Sequence, residues 1–115
     1  DTAHQFGMKY ILADEIFFEN LPYIYEKIDS FIDEADFLYI TICMDVFNAS
    51  IAPGVSAAAY NGIFADATFL HFYRHILKSE KLVALDVAEV NPEFDIAERT
   101  ARLAASLVNE WFMIS

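Results

Sequence analysis

Turn-forming residues are scarce in this chain, with only three glycines and three prolines among 115 residues. That scarcity argues against a disordered or low-complexity segment, which must also keep its apolar content low. Here 57% of the residues are hydrophobic, including eleven Phe, six Tyr and one Trp, so a densely packed core in one compact domain is expected. Long apolar runs are missing as well. The longest, from Phe37 to Met44 with only Thr41 interrupting, is strand-sized and far short of the roughly 20 residues a membrane helix needs, so no membrane partner is expected. Positive charge is sparse: seven Lys and Arg stand against eighteen Asp and Glu, for a formal net charge of −11. The few cations form no patch able to neutralise a phosphate backbone, which speaks against nucleic acid as a partner. A lone cysteine, Cys43, has no intramolecular disulfide partner, which fits a reducing compartment, and a cytoplasmic location is expected. The opening "DTAHQFGMKY" has neither an initiator Met nor the layout of a signal peptide, so the chain is expected to begin inside a longer protein.

What remains alternates between strand-like and helix-like stretches. "KYILADEI" is a short apolar run ending in acids. "LPYIYEKIDSFIDEA" places Ile24, Ile28, Phe31, Ile32 and Ala35 on one helical stripe, with Pro22 tolerated in the first turn. "DFLYITICMDVF" returns to strand. A loop containing Pro53 and Gly54 follows, and "DATFLHFYRHILKSEK" is again helical with Asp66 as N-cap. "LVALDVAEV" reads as a third strand, broken by Asn91-Pro92. In the last helix, Asp95 and Glu98 have the spacing of a capping box, and Leu103, Ala104, Leu107, Val108 and Trp111 share a face. This order implies an α/β architecture with parallel strands and right-handed crossovers. Three such strands, apolar throughout, need cover on both faces, so a missing N-terminal half or a partner chain is expected to supply it.

Ligands of open α/β sheets bind beyond the carboxyl ends of the strands. Acids recur there: Asp14 and Glu15, then Asp45 beside Cys43, then Asp86 and Glu89. Adjacent Asp14 and Glu15 read as capping residues. Cys43 and Asp45, two apart in a strand, are expected to project to one side and are potential metal ligands. Cys43 reads equally well as a small buried strand residue. A carboxylate inside "LVALDVAEV" is costly to desolvate unless it is paired, and Asp86 is expected to hold a neighbouring loop or Arg99. His71 and His75, four apart on a helix, lack the glutamate of a zinc-binding H-E-x-x-H pattern, and His4 has no acid at a useful spacing. None of these histidines is assigned a metal.

The segments "CMDVFNASIAPGVSA", "LDVAEVNPEFD" and "RTARLAASLV" together resemble the C-terminal part of the ureohydrolase superfamily, the arginase-like hydrolases, from about residue 37 to residue 108. The resemblance implies a three-layer α/β/α fold with a parallel sheet, of which residues 1–115 would be the C-terminal strand-helix units of a single domain. It implies a binuclear manganese enzyme that cleaves a C–N bond of a small amidine. N-formimidoyl-L-glutamate, split to formamide and glutamate in histidine degradation, is the first candidate, and a guanidine such as arginine or agmatine is the rival. A truncated or degenerate subunit without activity is the other alternative, and a homo-oligomer is compatible with either. The family's Asp-x-Asp metal motif falls on Cys43 and Asp45. Asp45 matches and Cys43 departs, which matters because manganese prefers hard oxygen donors and thiolates favour softer ions. The family's substrate-binding glutamate in "Glu-Val-Asn-Pro" matches Glu89. No further catalytic residue is assigned, and the family's "GGDHS"-like and "DAHxD"-like motifs, which carry the remaining metal ligands, do not occur in the chain.

Overall fold

A computed structural model describes residues 5–114; His4 and the three residues before it, and Ser115, lie outside the described residues. Helix α1 spans Leu21–Glu34, strand β1 Leu38–Cys43, helix α2 Ala67–Leu77, strand β2 Leu82–Ala88 and helix α3 Arg99–Ile114. Short 3-10 turns cover Ala13–Glu15, Phe18–Asn20, Met44–Val46 and Pro92–Phe94.

The three helices form where the apolar spacing places them. Pro22 sits in the first turn of α1, where its missing N–H has no acceptor to lose, and Ile24 is buried. At the other end of α1, the Ile32 carbonyl accepts from the Ala35 amide at 3.1 Å and from Lys81 Nζ at 2.7 Å, so a cation sits at the helix C-terminus. Helix α2 is capped by Asp66, whose Oδ1 accepts from the Phe69 amide at 3.1 Å. Its buried residues Phe69, Tyr73 and Leu77 recur at steps of four. Helix α3 buries Thr100, Ala104 and Leu107 in the same manner.

The strands β1 and β2 are parallel, with Thr41 opposite Asp86, Ile42 opposite Val87 and Cys43 opposite Ala88. Leu38 and Ile42 on one face join Leu82, the buried residues of α2 and α3, and Ile32 of α1 in a single core. The Tyr73 hydroxyl donates to the Leu107 carbonyl at 2.6 Å inside that core, and Arg74 makes a two-pronged ion pair with Glu110 at 2.8 and 2.9 Å at its rim. On the opposite face Tyr39, Thr41 and Asp86 are exposed. The described residues therefore make up two layers, sheet and helices, and leave one sheet face bare.

Three expectations need correction. The first strand does not form: among the described residues the sheet has two strands, and "KYILADEI" turns at Ala13–Glu15 instead. There Glu15 Oε1 accepts from the Leu12 amide at 2.9 Å while the Leu12 carbonyl accepts from the Glu15 amide, so local bonds satisfy the backbone that a ladder would have used. Phe31 is 53% exposed rather than buried, because it borders an open cleft of roughly 430 Å³ between α1 and β1. Finally, α3 begins at Arg99 and not at the Asp95 capping box: Ala97 and Glu98 have φ of 51° and 59°, outside helical geometry. Asp95 still caps the helix, accepting from the amides of Thr100 at 3.0 Å and Ala101 at 3.2 Å.

The loop between β1 and α2 is held tightly. Phe47, Ala52 and Val55 enter the core, and bridges pair Phe47 with Ile63 and Asn48 with Ala59. Gly62 has no alternative there, since a Cβ would lie 2.6 Å from the Phe47 carbonyl carbon.

Candidate functional site

Because the strands are parallel, their carboxyl ends lie side by side, and the register that pairs Cys43 with Ala88 sets Glu89 next to the end of β1. Cys43 is the last residue of β1 and Asp45 lies in the following 3-10 turn, so the two do not meet through strand alternation as expected. They meet nonetheless. The Cys43 thiol donates to Asp45 Oδ1 at 2.8 Å. That hydrogen bond is the first reason the thiol pKa is pushed up; burial and the negative charges of Asp45 and Glu89 push it the same way. Cys43 is thus a neutral thiol at neutral pH, and the field of Glu89 reaches it.

Glu89 is exposed and has φ of 72°, the left-handed region that a residue with a Cβ rarely occupies. Behind it the chain is tied down: the Asn91 amide donates to the Gly54 carbonyl at 2.6 Å, and Asn91 Nδ2 donates to Ser56 Oγ at 3.3 Å. The "APGVSA" loop and the "EVNP" turn, far apart in sequence, are therefore one structural unit beside Cys43 and Asp45.

Asp86 is not part of it. Its carboxylate is exposed on the bare sheet face and accepts a hydrogen bond from the Tyr39 hydroxyl of the neighbouring strand, so it holds neither a loop nor Arg99 and is not desolvated. The histidines of α2 are also elsewhere. His75 Nε2 lies 2.6 Å from Asp29 Oδ1 of α1 and His71 packs edge-on to Phe18, so the pair is structural.

The donor set gives a mixed answer for manganese. Asp45 offers hard oxygens that suit the ion, whereas the Cys43 thiol is soft, protonated and already bonded to one of those oxygens. Among the described residues no three His, Cys, Asp or Glu side chains converge in a geometry that would hold a metal. Asp45 fits as one ligand, and the chain alone does not complete a site.

Thr100 is a residue that the sequence reading passed over. It is fully buried, and its hydroxyl accepts from the Gly54 amide at 2.8 Å. Its signal was present: positions 100, 104, 107 and 111 form one apolar stripe, and a hydroxyl on such a stripe needs a buried partner.

Comparison with known proteins identifies the family and the fold. The arginase family model matches residues 1–114, and the chain belongs to the arginase family. It is 44% identical over 111 residues to formimidoylglutamase of Staphylococcus carnosus, covering 96% of this chain and 36% of that protein. It is 37% identical over 107 residues to formimidoylglutamase of Clostridium tetani, covering 93% and 31%. Its fold is that of formimidoylglutamase from Bacillus subtilis, with a TM-score of 0.86 and 27% identity over 97% of this chain and 35% of that one. The chain thus spans about a third of the length of the relatives it matches.

Proposed function

We propose that this chain is the strand-end portion of a formimidoylglutamase, a hydrolase that cleaves the C–N bond of N-formimidoyl-L-glutamate to formamide and glutamate in histidine degradation. The observation that carries the proposal is the 44% identity to a formimidoylglutamase across nearly the whole chain. The hydrogen bond between Cys43 and Asp45, and the place of Glu89 one residue past β2 at the same end of the sheet, support it.

In this reading Asp45 and Cys43 stand at two ligand positions of a manganese pair, the other ligands coming from outside this chain. When bound, manganese supplies activation of water at neutral pH. Ligation by Cys43 requires its thiol to give up the proton now shared with Asp45, so binding there is coupled to proton release. Glu89 accepts paired, charge-assisted hydrogen bonds from the cationic formimidoyl nitrogen and turns its carbon toward the nucleophile. The site takes a small molecule, and we place the protein in the cytoplasm on its lone unpaired cysteine.

One observation favours a second reading, a degenerate subunit without activity: the Cys43 thiol occupies an oxygen of the carboxylate that metal would need. The polypeptide as its gene encodes it, loaded with manganese, decides between them. Formamide release from formimidoylglutamate should exceed urea release from arginine and agmatine by at least roughly tenfold in kcat/KM. Equal or faster guanidine hydrolysis would assign the protein to the rival activity, and no turnover of any of the three would support the degenerate subunit.

A further inference from the structure

Glu89 keeps a backbone conformation that L-residues disfavour, and such a conformation persists only where the surroundings over-determine it. The restraint can be followed atom by atom. Two residues after Glu89, the Asn91 amide is fixed on the Gly54 carbonyl at 2.6 Å. On the other side of the same residue, the Gly54 amide is fixed on Thr100 Oγ1 at 2.8 Å. Thr100 is in turn tied to Asp95 through its own amide, which donates to the carboxylate at 3.0 Å. Gly54 is packed against that carboxylate so closely that a Cβ would fall 2.6 Å from Asp95 Cβ and Cγ. Asp95 is itself held by the amides of Ile96, Thr100 and Ala101 at the start of α3. A continuous chain of bonds therefore runs from a helix terminus, through a buried hydroxyl and a glycine that tolerates no side chain, to the turn that carries Glu89.

We infer that Thr100 is a positioning residue for Glu89: its hydroxyl latches the "APGVSA" loop to α3, and the loop holds the Glu89–Asn91 turn so that the carboxylate stays beside the ends of both strands. The inference rests on Glu89 being the substrate-binding carboxylate. A threonine whose only task was to fill space would be replaced well by valine, which has the same shape. Serine keeps the hydroxyl and loses the methyl group. The latch predicts the opposite ranking, with serine the better substitute.

The test compares Thr100→Val and Thr100→Ser in the polypeptide as its gene encodes it, by steady-state kinetics on formimidoylglutamate, metal analysis, and hydrogen exchange of peptides covering 52–56 and 88–93. Thr100→Val should speed exchange in both peptides and lower kcat/KM by roughly tenfold, mainly through KM, with metal content unchanged. Thr100→Ser should stay within about twofold of the parent on both measures. Unchanged exchange in Thr100→Val overturns the latch. Faster exchange with unchanged kinetics overturns the positioning role, and so does equal damage in the two variants. If Thr100→Val does not fold, Thr100→Cys, which weakens the hydrogen bond to the Gly54 amide at similar volume, must show the same losses in graded form. Glu89→Gln is run alongside. If that variant is silent, the substrate reading has failed and the positioning role falls with it, while exchange in the 88–93 peptide still decides whether the latch holds the turn.

Discussion

The thiol of Cys43 and the carboxylate of Asp45 are joined by a 2.8 Å hydrogen bond at the carboxyl end of β1, where the family motif places two carboxylates. The bond fixes the thiol as donor and the carboxylate as acceptor, so metal binding must compete with it. Asp45→Ala should remove metal from the encoded polypeptide. Cys43→Asp should raise manganese affinity, because it replaces a soft, protonated donor by a hard one. Metal titration of the two variants beside the parent checks this, and weaker manganese binding by Cys43→Asp would count against the alignment of the motif.

In the proposed function Glu89 serves the substrate and not the metal. In that reading the rest of the protein closes over Glu89, which is exposed in this chain, and truncating one partner of a buried charge pair costs about 2 to 5 kcal/mol. Glu89→Gln should therefore lower kcat/KM on formimidoylglutamate by at least roughly tenfold, since about 1.4 kcal/mol is a decade. Its metal content should not change. A Glu89→Gln protein that loses its manganese would move this residue into the ligand set.

Tyr73 links α2 to α3 through its 2.6 Å bond to the Leu107 carbonyl, and Tyr73→Phe should destabilise the fold by about 1 to 2 kcal/mol in chemical denaturation. Burial, with help from the charge of Glu110, pushes the phenol pKa up from 10.0 to about 12. The folded-state value is the higher one, so this contribution is complete below the unfolded pKa near 10 and is lost as pH rises through about 12. Alkaline unfolding curves should fall by up to about 1.4 kcal/mol per pH unit in that window, and the Tyr73→Phe curve should lack this component.

Asp95 should act at the other end of the pH scale. Burial raises its pKa, but the bonds it accepts from the amide and hydroxyl of Thr100 and from the amides of Ala101 and Ile96 outweigh burial and bring it below the usual carboxylate value. A depressed folded-state pKa means stability that is present above the unfolded value, about 3.9, and lost as pH falls through the folded one. Asp95→Asn should lower Tm at neutral pH and narrow the difference between variant and parent on acidification. A constant Tm difference down to acid would show that the carboxylate charge plays no part in the cap.

The three helices, the two strands they alternate with and the Asp66 cap were legible in the sequence, whereas Asp45 was read into the strand and lies in the turn that follows it. The helices, strands and cap depend on contacts within a few residues. Other features required the folded chain. Whether "KYILADEI" becomes a strand depends on what competes for its backbone groups, and in the structure Leu12 and Glu15 satisfy one another. Helix α3 begins four residues after its capping residue because Ala97 and Glu98 turn left-handed, which no apolar period reports. Asp86 is indistinguishable from a buried acid in "LVALDVAEV" until the register shows that its face of the sheet is bare. The bonds that tie Gly54 to Asn91 and to Thr100 join residues 37 and 46 positions apart, and a hydrogen bond over that distance exists only once packing has brought the two backbones together.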